Sequence, residues 1–148
     1  MKTIIHTVDM QAKPDAVYKA IATQQGLSGW WTSQVKGEER VGGVLAFAFM
    51  DGFGPQMRVT KLESPGLVTW EGVAGPPSWI GSRFRFEIVS HDAGVRLRFR
   101  QEYVKDLDED EFGTYNYNWA YFLESLRLYT TTGTGKPFVP QQVVSSAR

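Results

Sequence analysis

"SRFRFEIVSHDAGVRLRFRQEY", residues 82–103, alternates through two runs that meet at "HDAG", residues 91–94. Phe84, Phe86, Ile88, Val95, Leu97 and Phe99 fall on one side, and Arg83, Arg85, Glu87, Arg96, Arg98 and Arg100 on the other. Successive side chains of a strand point to opposite faces, so this period of two predicts two strands of an antiparallel sheet with one apolar and one charged face. The apolar face needs a cover, which other segments must supply.

Downstream, the acidic run "DLDEDE" (106–111) precedes "FGTYNYNWAYFLESLRLYTTTGTG" (112–135). There Trp119, Phe122, Leu123, Leu126 and Tyr129 recur at helical spacing until Gly133 and Gly135 stop the pattern. This long helix lays its apolar stripe on the sheet. Upstream, residues 3–10 alternate with Ile4, His6, Val8 and Met10 on the more buried face of a strand. "AKPDAVYKAIATQQG" (12–26) reads as a short amphipathic helix with Pro14 in its first turn and Gly26 at its close, followed by a second helical turn over 27–31. "VLAFAFM" (44–50) meets "PQMRVTKLE" (55–63) across "DGFG" (51–54), a hairpin signal. "ESPGLV" sets Pro65 and Gly66 for a type II turn into the strand "LVTWEGV" (67–73). Residues 136–148, with two prolines and a polar end, read as a loosely held tail.

The 148 residues suit one domain, and sixteen basic side chains balance sixteen acidic ones, which removes the positive field a nucleic-acid binder needs. With no cysteine there is no disulfide, thiolate nucleophile or cysteine-held metal, and His6 and His91 are the only imidazoles. The amino terminus lacks a signal-peptide core and no window suits a membrane helix, so a cytoplasmic protein without membrane insertion is expected. Aromatic residues reach 14%, with five tryptophans, so rings must line a large core or concave surface.

The order is strand, two short helices, a meander, then a long helix. With it, the segments "KPDAVYKAIATQQGLSGWWT", "VKGEERVGGVLAFAF", "LVTWEG" and "NWAYFLESLRLYTTTGTGKPF" resemble the heat-shock-protein-90 ATPase activator homologue-like branch of the START-related (SRPBCC) helix-grip superfamily. The resemblance runs from Thr3 to Phe138. It implies an α+β fold in which a curved antiparallel sheet of six to seven strands wraps around the carboxy-terminal helix, as one domain over 1–138 with a tail over 139–148. It also implies a cavity between sheet and helix for an apolar or amphipathic small molecule, and links the chain to stress response. In the family pattern the double tryptophan closes the second short helix at the sheet's open end, so one of Trp30 and Trp31 packs beneath the helices and the other borders the cavity.

The candidate cavity residues are Trp30 or Trp31, Phe47, Phe49, Trp70, Trp79 in the loop "AGPPSWIG" (74–81), Phe84, Phe86, Tyr115, Trp119 and Phe122, with His6, Tyr103, Tyr115 and Asn116 as polar anchors. His6 stands on an apolar face, where a neutral imidazole either orients a ligand or is satisfied by a neighbouring hydroxyl or backbone group. The outward stripe Arg83, Arg85, Arg96, Arg98 and Arg100 crowds like charges, which either interleave with Glu63, Glu71 or Glu87 or face an acidic protein partner. Asp106, Asp108 and Asp110 hold the first, third and fifth positions of a calcium loop, but Glu111 and Tyr117 break its sixth and twelfth. "TTGTGKP" follows a helix, not a strand, so it is no phosphate loop. No catalytic, cofactor or metal motif emerges. The expected function is a non-enzymatic binding protein for an apolar or planar small molecule, monomeric or homodimeric. The alternatives are an interaction or chaperone-accessory module using the arginine face, and a polyketide-cyclase-like enzyme.

Overall fold

A computed structural model describes residues 1–50 and 54–140. Its elements are β1 (Thr3–Met10), α1 (Pro14–Ala22), α2 (Gln24–Ser28), β2 (Val35–Gly37), β3 (Val44–Phe47), β4 (Gln56–Glu63), β5 (Leu67–Ala74), a 3-10 turn (Pro77–Trp79), β6 (Arg83–His91), β7 (Gly94–Glu102) and α3 (Glu109–Thr132). The strands form one seven-stranded sheet in the order β1-β7-β6-β5-β4-β3-β2. Every pairing is antiparallel. The helix-grip α+β architecture expected from the sequence is the one observed, with α3 against the concave face.

The alternation in β6 and β7 translates directly into burial. Phe84, Phe86, Val95, Leu97 and Phe99 are at most 1% exposed, while the arginines between them face outward. Register shifts in the β4 and β5 pair, between Gln56 and Met57 and between Val59 and Lys61, add irregularities of the kind that bend and twist a sheet. Pro14 sits at the start of α1, Asp15 stands in its first turn, and Val17, Ala20 and Ile21 bury its inner side. Thr23 then accepts a hydrogen bond on its hydroxyl from the Gly26 N–H at 3.0 Å, starting α2 without an intervening loop.

Several expectations are corrected. α2 covers Gln24–Ser28, so the two tryptophans follow the helix and do not close it. β2 is a three-residue strand whose brevity leaves no alternation to read. β3 ends at Phe47, and residues 51–53 of the "DGFG" turn lie outside the described residues. The turn over 63–66 is closed by the Gly66 N–H on Glu63 O at 2.8 Å, with the Ser64–Pro65 peptide cis. It is therefore a type VI turn, and Gly66 needs no positive φ. α3 begins inside the acidic run, because the Asp108 carboxylate accepts from the Glu111 N–H at 2.7 Å and caps it. Gly133, at φ 89°, ends it in the left-handed region.

The first part of the expected tail is pinned, not loose. The Phe138 N–H donates to Trp31 O at 2.9 Å and the Ser33 N–H to Phe138 O at 2.8 Å, a short parallel bridge between Thr32 and Phe138. Residues 141–148 lie outside the described residues. No helix among the described residues is long and apolar enough to cross a membrane.

On the convex face the arginines are matched. Arg96 makes a two-pronged contact with Asp9 at 2.8 and 3.0 Å, and Arg98 and Arg85 flank Glu87 at 3.4 and 3.5 Å. Arg83 and Arg100 reach Glu102 at 4.0 and 3.8 Å, and Glu71 takes Arg58. Asp9 and Glu102 thus do much of the interleaving expected of Glu63, Glu71 and Glu87.

Candidate functional site

Rings fill the concave face along most of its length. Trp31 sits at the centre of the pile, with Phe47 at 4.5 Å, Trp119 at 5.0 Å, Trp70 at 6.0 Å and Trp30 at 6.2 Å between centroids. Trp119, hanging from α3, rests on Phe99 at 4.3 Å and stacks with Trp79 at 6.1 Å. Its indole N–H donates to Gln101 Oε1 at 2.8 Å. Along this stretch the space between helix and sheet is largely occupied by side chains.

The packing opens at one end, where Phe49, Met50, Gly54 and Pro55, the loop over 75–79 and the first half of α3 meet. A cleft of about 740 Å³ remains there. Among the described residues seven rings line it: Trp31, Phe49, Trp79, Tyr115, Trp119, Phe122 and Phe138, together with Met50, Pro55, Pro76 and Pro77. Asn118 is the one amide side chain of the lining among the described residues. Tyr115, Asn118, Trp119 and Phe122 come from successive turns of one stripe of α3, at the i, i+3, i+4, i+7 spacing that shares a helix face. A smaller cleft of about 400 Å³ beside it is walled by Phe47 and lined by Gln34, Lys36 and Gln56.

Local chemistry holds the loop with Trp79 in place. Gly72 in β5 lies directly beneath it, and a Cβ there would collide with the Trp79 carbonyl. The Gly81 N–H donates to Gly72 O at 2.8 Å, folding the loop back on the strand. Ser78, 6% exposed, donates its hydroxyl to Glu111 Oε2 at 2.6 Å and ties the loop to the first turn of α3. Burial pushes the Tyr115 phenol above its ordinary value, with the Glu111 carboxylate adding to the effect. Burial does the same to Tyr103 more strongly, with Tyr115 adding to it. Both phenols are neutral hydrogen-bonding groups at physiological pH.

The profile of the Activator of Hsp90 ATPase homolog 1-like protein family matches residues 11–131. The chain belongs to that family. No curated protein matches it. Among solved structures, the Aha1 dimer from Colwellia psychrerythraea is 32% identical with a TM-score of 0.81, over 91% of this chain and 100% of that one. SSP2350 from Staphylococcus saprophyticus is similar in fold at 16% identity and TM-score 0.72, over 93% and 98% of the two chains. CalU16 from Micromonospora echinospora is similar at 18% and 0.74, over 90% and 69%.

In this Activator of Hsp90 ATPase homolog 1-like chain, the cleft gathers Trp31, Phe49, Trp79, Tyr115, Trp119 and Phe122 from the residues singled out in the sequence. Trp30, Trp70, Phe84 and Phe86 lie behind that lining, each at most 1% exposed. Tyr103 is fully buried behind Tyr115, and Asn116 faces solvent one helical step from the lining. His6 sits half-buried on β1 opposite Phe99, outside the lining, and its Nε2 is buried without a partner among the described residues. Met50, Pro55, Asn118 and Phe138 were not anticipated. Helical spacing from Tyr115 was signal enough for Asn118, whereas Phe138 reaches the cleft only through its bridge to Trp31. Among the described residues no three acidic or histidine side chains cluster to hold a metal.

Proposed function

We propose that the chain is a binding protein for an apolar, planar small molecule, which seats in the ring-lined cleft between Trp31, Trp79 and Trp119. The observation that carries this is the cleft itself. Its volume of about 740 Å³ lies within the roughly 300–1,000 Å³ typical of ligand sites, and its lining is almost wholly apolar. Rings left facing an open concavity are unfavourable in water unless something covers them. Where α3 crosses, the same residue types pack to completion, so the opening is local to this end.

The test is a thermal-shift screen against fatty acids, sterols, flavonoids and polycyclic aromatics. A ligand at about 100 times its dissociation constant adds roughly 2.7 kcal/mol, worth about 5–11 °C for a chain of this size. That shift is expected for one planar class and is lost in Phe122→Ala. A flat screen, with nothing bound in native mass spectrometry, rejects the reading.

The convex arginine stripe gives the interaction reading less support, because each of its arginines already meets an acid. A second copy of the chain is the better-supported protein partner, since the 32% identical Colwellia relative is a dimer. Sedimentation equilibrium separates monomer from dimer.

A further inference from the structure

The two edges of the sheet are finished differently. At one edge β2 stops after three residues, and its Gly37 carbonyl accepts a hydrogen bond from the Gln24 side chain of α2 at 2.9 Å. At the other edge β1 runs for eight residues in unbroken register with β7. One residue before it, Lys2 O accepts the Tyr103 N–H at 2.9 Å. Hydrogen-bonded positions alternate along an antiparallel pair, so Ile4, His6, Val8 and Met10 turn their N–H and C=O groups toward β7. Thr3, Ile5, Thr7 and Asp9 turn theirs outward, and no described residue bonds them.

β1 carries none of the devices that keep an edge from pairing. No lysine, arginine or proline stands between residues 3 and 10, and no register shift interrupts the strand. Ile5 is 55% exposed on the convex side, and the charge of Asp9 is matched by Arg96 at 2.8 Å. Such an edge accepts a further strand through its main chain. Two observations select a second copy of the chain as that strand. Two identical antiparallel strands complement each other about a two-fold axis, and an axis beside His6 uses every outward group of β1. Ile5 then faces Thr7 of the partner subunit, Thr3 faces Asp9 of the partner subunit, and the two Asp9 carboxylates lie at opposite ends. The covered β2 edge supplies the second observation, because joining β1 to β1 consumes the open edge and assembly closes at two.

We propose that two copies of this chain pair through β1, antiparallel about a two-fold axis beside His6, so that their sheets become one. The inference rests on the homodimer reading and adds the surface and its register.

The experiment is sedimentation equilibrium of the full chain as wild type, as Ile5→Lys with Thr7→Lys, and as Ile5→Pro. The double variant sets lysine opposite lysine twice across the axis and is expected to raise the dimer dissociation constant about tenfold or more. Ile5→Pro should do the same, and it removes no hydrogen bond within the chain because the Ile5 N–H points outward. Near-ultraviolet dichroism checks that both variants keep the wild-type fold. The chain has no cysteine of its own, so register is read by introducing one. In His6→Cys the two new residues stand directly opposite, with Cα atoms about 4.5 Å apart, and oxidation is expected to link the dimer covalently. Val41→Cys, an equally exposed control beyond β2 at the other edge, is expected to stay unlinked. A wild type that stays monomeric overturns the homodimer reading and the inference together. A wild-type dimer that folded Ile5→Pro and the double variant leave unchanged, or that Val41→Cys links as readily as His6→Cys, overturns the inference alone. Growth past the dimer does so too, since it needs a second open edge.

Discussion

Trp30 and Trp31 are adjacent in sequence and belong to two different regions of the concave face. Trp30 is sealed beneath α1, with its indole N–H on Ala20 O at 2.7 Å and its carbonyl taken by the buried Ser125 hydroxyl at 2.8 Å. The same Ser125 oxygen accepts the Lys136 N–H at 2.7 Å, so helix, tryptophan and carboxy-terminal segment lock at one atom. Around Trp31 the polar groups are less complete and the rings less covered: Phe49, Tyr115 and Phe122 are half-buried and Met50 is 71% exposed. The contrast teaches that hydrophobicity alone does not mark a site. Both regions are rich in rings, and they differ in whether packing and hydrogen bonding have been brought to completion.

The largest effect should come from Trp119→Ala, because this ring joins the two regions. It touches Trp31, Trp79, Phe84, Phe86 and Phe99. Its removal should cost about 3–5 kcal/mol in denaturant unfolding and abolish ligand binding as well. Next, Trp30→Phe strands the Ala20 carbonyl and should cost about 1–3 kcal/mol, with ligand-induced thermal shifts unchanged. Loss of ligand response there would erase the division between regions. Phe122→Ala, at the half-buried wall, should cost only about 1 kcal/mol yet weaken ligand binding about tenfold or more. A stability loss of about 3–5 kcal/mol, that of a fully packed phenylalanine, would show the cleft wall to be ordinary core.

The smallest effect belongs to the convex face. The Arg96 guanidinium holds the Asp9 carboxyl below its ordinary 3.8. A lowered carboxyl value means that its contribution is complete above about pH 4 and fades as pH falls through the lowered value. Arg96→Ala should therefore lower the melting midpoint at neutral pH by about 1–2 °C, with the difference closing in acid.

The sheet was legible wherever alternation ran long enough. β6 and β7 announce both strand and facing, whereas β2 is too short to carry a period. The early start of α3 was also encoded, since Asp108 and Glu111 stand three residues apart as a cap and its N3 position do. The site was legible in kind more than in place. Periodicity says that Trp70, Phe84 and Phe86 point inward, but not how far along the concave face each stands from the crossing of α3. That distance separates wall from core. Nor could spacing bring the loop over 75–79 or Phe138 to the cleft mouth, because those approaches depend on Gly72 lacking a side chain and on the bridge to Trp31.

All five tryptophans of the chain belong to one connected pile, running from Trp30 through Trp31 to Trp70 and Trp119, and on to Trp79. Their excited states are therefore coupled, and the near-ultraviolet dichroism and intrinsic fluorescence arise from a single ensemble that reaches the cleft through three of its members. No remote indole contributes a background. The molecule carries its own optical reporter, and any aromatic guest that settles against Trp31, Trp79 or Trp119 will alter the emission of the whole set.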